Sequence, residues 1–225
     1  MQRSPFALFS AFPEVSVAIF DRADGIDDDG KITGLCGCPA HASAQQVHGT
    51  VTAVIRESVD RVGGADGILT GTADLLLTTR WGDCQNFAVY VPEKKTIGVL
   101  HAGWRGLAAG AIPQFFTTLH EEWGVAPSDA YIAAGPSLCF DCSDFTDPAT
   151  ELPAAWAPFI RGRCADLQRI ADAQLHEAGV QANRFERHPD CTRCHPERYW
   201  TWRGGHKDEM RAGYRNILTI TRKRA

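Results

Sequence analysis

Asn86-Phe-Ala-Val-Tyr-Val91, Pro92-Glu-Lys-Lys95, Thr96-Ile-Gly-Val-Leu100 and His101-Ala-Gly-Trp-Arg-Gly106 follow one another without a break and decide how the chain folds. Two apolar runs joined by a short polar turn read as neighbouring strands of one sheet. Past the hexapeptide the pattern changes to Leu107, Ile112, Phe115, Phe116 and Leu119, the spacing of a helix with one buried face, and Gly124 supplies its end. Working outward, residues 15–20 read as a first strand, 21–30 as an acidic surface loop, 50–55 as a second strand and 73–79 as a third. These strands and the 86–100 pair are expected to form a central sheet. Residues 130–134 read as a short buried strand entering the turn Gly135-Pro-Ser137. A second helix is expected over about 165–178, with Leu167, Ile170, Ala171, Gln174 and Leu175 in register and Gly179 just beyond it. The last third is irregular and aromatic at Tyr199-Trp-Thr-Trp-Arg203, before a closing strand at 216–221. Nothing resembles a linker. The expectation is a single α+β domain over residues 1–225, a layered α/β sandwich with a mixed central β-sheet flanked by helices.

Composition narrows the function classes. Hydrophobic residues make up 44% of the 225 and charged residues 22%, an ordinary globular mix that excludes disordered, collagen-like and coiled-coil chains. Lys and Arg total 23 against 27 Asp and Glu, a net charge of −4, which lacks the electrostatic footprint of a nucleic-acid binder. Pro5, Pro13 and Glu14 interrupt the apolar N-terminal stretch, so no signal peptide is expected, and no run is long enough to span a membrane. The expectation is a cytoplasmic protein that takes a small-molecule substrate and neither nucleic acid nor membrane. In a reducing compartment its eight cysteines are read as buried, metal-bound or catalytic.

Candidate metal ligands are His48, Cys84 and His101. His101 falls where a buried strand ends and a helix begins, the place where α/β sheets present reactive groups, and Cys84 directly precedes another strand. Two imidazoles and a thiolate suit zinc with one position open for water or substrate. The alternative is a core thiol and two ordinary hydrogen-bonded histidines. In the hexapeptide, Arg105 at a helix N-terminus suits an anion, against a tight turn whose Trp104 plugs the core.

With Gln46-Val-His-Gly49, Ala65-Asp-Gly-Ile68, Asp83-Cys84, His101 to Gly106, Gly135-Pro-Ser137 with Cys142, and Cys191-Thr192 followed by Trp202-Arg203, the chain resembles the YfiH-type proteins. These are described as multicopper polyphenol oxidoreductases or laccase-domain proteins, and as purine nucleoside phosphorylases with adenosine deaminase activity. The resemblance spans roughly residues 45–220. It implies a YfiH-like fold, one zinc on His48, Cys84 and His101, with copper possible at the same site, and Gln46, Trp104 and Cys191 at the substrate. In deamination Asp83 or Asp144 would shuttle protons; in phosphorolysis Arg105 or Arg203 would hold phosphate. The chain departs from the family pattern at Gln85-Asn86-Phe87, Ser143 and Gly204. Two other classes compete: a copper-dependent polyphenol oxidase, for which the chain lacks His-x-His pairs, and a non-enzymatic zinc-containing binding module linked to peptidoglycan quality control.

Cys191-Thr-Arg-Cys194-His195 matches a c-type haem attachment pattern, which the absence of an export signal argues against. Cys139 and Cys142 could instead pair with Cys191 and Cys194 in a second metal site. The loop between the two pairs is longer than ordinary zinc ribbons span, so Cys191 is expected to line the active site and Cys194 to be incidental.

Overall fold

The runs at 86–91 and 96–100 do form a hairpin, paired antiparallel from Gln85 opposite Ala102 to Val91 opposite Thr96. Its residues alternate between two different cores. Phe87, Val89 and Val91 point to one side and Ala88 and Tyr90 to the other, so both faces of the hairpin are covered, as its continuous apolar sequence demands.

The structure is a computed structural model that describes residues 1–26, 28–38 and 40–224. Its strands are β1 (Gln2–Arg3), β2 (Val15–Phe20), β3 (Ala40–Ala44), β4 (Thr52–Val54), β5 (Val59–Val62), β6 (Gly67–Thr70), β7 (Leu75–Trp81), β8 (Gln85–Val91), β9 (Thr96–Ala102), β10 (Tyr131–Ala134), β11 (Ile160–Arg161), β12 (Cys164–Ala165), β13 (Phe185–Arg187) and β14 (Asn216–Arg222). Its helices are α1 (Asp29–Cys36), α2 (Trp104–Ala109), α3 (Ala111–Trp123), α4 (Pro148–Glu151), α5 (Leu167–Ala178) and α6 (Lys207–Arg211).

The α+β class with mixed sheets is what the chain adopts, but the expected central sheet is two. One six-stranded sheet has the order β1-β2-β14-β7-β3-β5 and the other β13-β10-β8-β9-β6-β4. The strand at 73–79 belongs to the first because β7 pairs with β14 and β3, not with β8 or β9. Between the sheets lie Val17, Ile19, Leu75, Leu77, Leu218 and Ile220 from one and Ala88, Tyr90, Ile97 and Val99 from the other. The far face of the second sheet is covered by Leu107 of α2, Phe115 and Leu119 of α3 and Ile170 and Leu175 of α5. Ile32 of α1 covers the far face of the first sheet against Phe20, Leu76 and Ile217. The layers are therefore helix, sheet, sheet, helices.

Local differences from the sequence reading have simple causes. The helix expected to run on from Leu107 breaks at Gly110, whose φ of +89° ends α2 and opens α3. Part of the 21–30 stretch, in which residue 27 lies outside the described residues, belongs to α1. With Gly30 and Gly34 inside it and little apolar content, α1 carries no amphipathic signature. Asp166 caps α5 by accepting the Arg169 N–H at 3.0 Å, and Gly179 closes it with φ +107°. Arg187 ties α5 to the sheet, its Nε donating to Asp172 at 3.1 Å and its Nη1 to Gln85 Oε1 at 2.8 Å. Among the described residues no helix is long and apolar enough to cross a membrane.

Phe115 is the pin of the α3 layer. It is 1% exposed, and a Cβ at Gly98 would come within 2.9 Å of its ring, so ring and bare β9 backbone are in direct contact. Phe115→Ala is expected to cost about 3–5 kcal/mol of stability in urea denaturation, and a cost below ~1 kcal/mol would contradict this packing.

Candidate active site

Three segments meet where β9 runs into α2. His101 stands on β9 opposite Asn86, Cys84 immediately precedes β8, and His48 lies in the loop between β3 and β4. That loop is strained, with Gln46 at φ +56° and His48 at φ +60°, left-handed values that non-glycine residues avoid. Asp66 holds it there. The Asp66 carboxylate accepts the backbone N–H groups of Val47 at 3.1 Å, His48 at 3.0 Å and Gly49 at 2.7 Å, and its Oδ1 lies 2.9 Å from His101 Nδ1. Gly103 leaves room for the cluster, since a Cβ there would lie 2.6 Å from His48 Cδ2 and 3.2 Å from Cys84 Sγ.

The donor atoms of His48, Cys84 and His101 lie within 4.8 Å of one another, with His48 Nε2 and Cys84 Sγ 3.9 Å apart. The imidazoles meet edge to face at 4.9 Å. Burial pushes the Cys84 thiol up, but the charge on His101 and hydrogen bonds from His101 and His48 outweigh it and bring it to about 6. Burial pushes His101 down, whereas the Cys84 thiolate and Asp66 raise it to about 9. Asp66, also opposed by burial, is held below the usual carboxylate range by His101 and the backbone N–H groups. A half-buried thiolate, a buried histidine oriented through Nδ1 by a carboxylate, and a second imidazole form a three-donor group that fits a metal ion.

The group opens on a cleft of about 730 Å³, within the ~300–1,000 Å³ usual for small-ligand sites. Six arginines line it: Arg61, Arg80, Arg105, Arg203, Arg211 and Arg215. The one acidic lining residue among those described is Asp83. Burial, then the charges of Arg80 and Arg61, lower Arg215 from its ordinary value, and all three side chains line the cleft. Arg80 and Arg215 are steadied by carbonyls, Arg80 Nη2 donating to Gly213 O and Arg215 Nη1 to Tyr214 O, both at 2.6 Å.

The other expected site residues divide. Gln46, Trp104, Arg105 and Arg203 line the cleft. Gln46 is clamped to β7, donating to Arg80 O at 2.6 Å and accepting the Arg80 N–H at 2.9 Å. The Arg105 guanidinium lies 4.2 Å from the Trp104 ring centroid. Asp83 lines the cleft with both oxygens engaged: Oδ1 accepts from the Thr192 and Thr201 hydroxyls at 2.8 and 2.7 Å, and Oδ2 accepts the Arg203 N–H at 2.8 Å. Asp144 stands behind the lining, where Arg203 and Arg193 reach it at 3.0 and 3.1 Å. Although burial opposes it, the Arg203 charge holds Asp144 below the usual carboxylate range.

Two expectations need correction. Cys191 does not line the cleft: its Sγ accepts the Cys139 N–H at 3.2 Å, because residue 191 bridges to Ser137. Cys194 is not incidental, since its sulfur lies 3.8 Å from that of Cys139 and 3.6 Å from that of Cys142. The polar pair after Cys84 serves the neighbouring turn. Gln85 Nε2 donates to Ser137 Oγ at 3.0 Å and Asn86 Nδ2 to Pro136 O at 3.0 Å. Sequence reasoning missed Asp66 as a site residue although it sits in the quoted Ala65-Asp-Gly-Ile68. It also missed Arg61, Arg80 and Arg215, which no local motif marks, and gave no role to the exposed cleft residue Trp202 although it stands in the quoted Trp202-Arg203.

With Cys84 near 6 and His101 near 9, the metal-free chain at pH 7.5 holds a thiolate beside an imidazolium. A metal ion must displace the His101 proton. Zinc binding is therefore expected to release about one proton at pH 7.5, more below pH ~6, about half a proton near pH ~9 and almost none above pH ~10, measurable by calorimetry in buffers of different ionisation enthalpy. Proton release independent of pH over this range would contradict the pairing.

The chain matches the family model described as multi-copper polyphenol oxidoreductase laccase over residues 27–220. It is 28% identical over 205 residues to purine nucleoside phosphorylase YlmD of Geobacillus stearothermophilus, covering 81% of this chain and 74% of that one. It is 27% identical over 146 residues to human purine nucleoside phosphorylase LACC1, covering 60% of this chain and 34% of that one. The solved structure of YlmD from G. stearothermophilus superposes with a TM-score of 0.80 at 22% identity, over 96% of this chain and 94% of that one. Neisseria meningitidis protein NMB0706 superposes with a TM-score of 0.77 at 20% identity, over 94% and 96%. The architecture is thus shared well beyond sequence similarity, and the chain belongs to the multi-copper polyphenol oxidoreductase laccase family.

Proposed function

We propose that this chain is a zinc-dependent purine nucleoside phosphorylase. The observation that carries the reading is the placement of the His48, Cys84 and His101 donors at a cleft lined by six arginines and a single carboxylate. Such a cleft attracts a small multiply charged anion, and phosphate is the anion that phosphorolysis consumes. The names of the relatives point the same way.

His48, Cys84 and His101 would hold the metal, which supplies a Lewis acid able to polarise an oxygen of the bound reactants. Zinc is favoured by the N,N,S donor set; copper would compete for it without making the chain a multicopper oxidase. Arg61, Arg80 and Arg215 form the phosphate seat, and Arg105 and Arg203 steady charge that develops as a phosphate oxygen bonds to the anomeric carbon and the purine leaves with the electron pair. Trp104 and the exposed Trp202 offer apolar surface to the base. Asp83 acts as a positioning residue for Thr192, Thr201 and Arg203. Deamination is the weaker reading, because Asp83 has both oxygens engaged and Asp144 is held by two arginines behind the lining.

The test incubates zinc-loaded protein with inosine or adenosine, with and without phosphate, following free base by chromatography and ribose 1-phosphate by phosphorus NMR. Base release that requires phosphate is expected. Arg215→Met should raise the KM for phosphate by about tenfold or more, the loss of one charge-assisted contact, with a smaller effect on nucleoside KM. Phosphate-independent conversion of adenosine to inosine, or no turnover, would overturn the reading.

A further inference from the structure

Outside the cleft the chain carries a second group of metal-ligating side chains. Cys139 precedes and Cys142 ends the single turn Phe140–Cys142, and Cys191 and Cys194 flank the turn at Thr192-Arg193. Their four sulfurs all lie within 4.8 Å of one another. None is joined as a disulfide, which would require sulfurs ~2.0 Å apart. The separations of 3.8 Å for Cys139–Cys194 and 3.6 Å for Cys142–Cys194 are instead those of a tetrahedron's edge. Four sulfurs at the usual ~2.3 Å from zinc stand about 3.8 Å apart. Backbone geometry supports the same arrangement, with the Cys139 N–H aimed at Cys191 Sγ from 3.2 Å.

We infer that Cys139, Cys142, Cys191 and Cys194 bind a structural zinc ion. Four thiolates close the coordination shell and leave no position for substrate, and none of the four lines the cleft. The ion would join two turns that carry the cleft's outer wall. One leads from Cys142 to Asp144, which holds Arg203 at 3.0 Å. The other contains Thr192, which donates to Asp83 beside Cys84. Arg193 crosses between the turns, donating to Cys142 O at 3.3 Å and to Asp144 at 3.1 Å. The site is independent of the phosphorylase reading and stands or falls without it.

The test is metal content by plasma mass spectrometry on untagged wild-type protein and on Cys84→Ser, Cys139→Ser and Cys194→Ser, each checked for folding by circular dichroism. About two zinc ions per wild-type chain and about one in each variant are expected. Zinc-edge X-ray absorption of Cys84→Ser should show four sulfur neighbours at about 2.3 Å and no imidazole. Should Cys84→Ser not fold, two zinc ions in wild type against one in Cys194→Ser carries the assignment. One zinc per wild-type chain that Cys194→Ser leaves unchanged, a metal-free Cys84→Ser, iron in the cluster, or a disulfide among these cysteines in freshly purified protein would overturn it.

Discussion

The Asp66 carboxylate is the interaction on which the site depends. It is fully buried, and a buried charge is tolerated only when hydrogen bonds replace its water. Three come from consecutive backbone N–H groups of the 47–49 loop and the fourth contact is His101 Nδ1. A single side chain thereby fixes the strained loop that delivers His48 and the ring orientation of His101. Breaking a buried pair of this kind typically costs about 3–5 kcal/mol, because the remaining charge is left without compensation. The same carboxylate makes the electrostatics coherent: it supports positive charge on His101, which in turn supports the Cys84 thiolate.

Charge elsewhere in the cleft is arranged to the opposite end. Asp83, within the cleft lining, and Asp144, outside it, both organise Arg203: Asp83 takes its N–H and Asp144 takes its guanidinium. Arg61, Arg80 and Arg215 all line the cleft, and the charges of the first two bear on the third, a repulsion that an entering anion relieves. A three-donor group that fits a metal ion at one end and a positive wall around it are the two features on which the proposed phosphorolysis rests.

How much of this the sequence reveals depends on how local each feature is. The β8–β9 hairpin is legible because both faces are buried and the apolar runs are unbroken, and α5 is legible through its spacing and closing glycine. β3, Ala-His-Ala-Ser-Ala, and β5, Val-Asp-Arg-Val, carry too little apolar weight to announce strands, and β6 has only four residues. The division into two sheets is a matter of long-range pairing, which periodicity does not encode. Of the site, His48, Cys84 and His101 are legible from position and resemblance, whereas Arg61, Arg80 and Arg215 come from three separate segments. The two Cys-x-x-Cys pairs are visible and their union can be named as an alternative, but the long loop between them argues against it in sequence. Their union follows from parallel pairing of β13 with β10, which lays the segment after 187 beside the segment after 134.

The most direct test of the central role given to Asp66 is the zinc affinity of Asp66→Asn, measured by competition with a chromophoric chelator on protein whose fold is verified by circular dichroism. The amide keeps the shape of the side chain but removes the charge and one acceptor. A loss of about 10–100-fold in affinity at the His48, Cys84 and His101 site is predicted, the usual effect of removing a histidine-orienting carboxylate. Wild-type affinity in a folded Asp66→Asn protein would contradict the account.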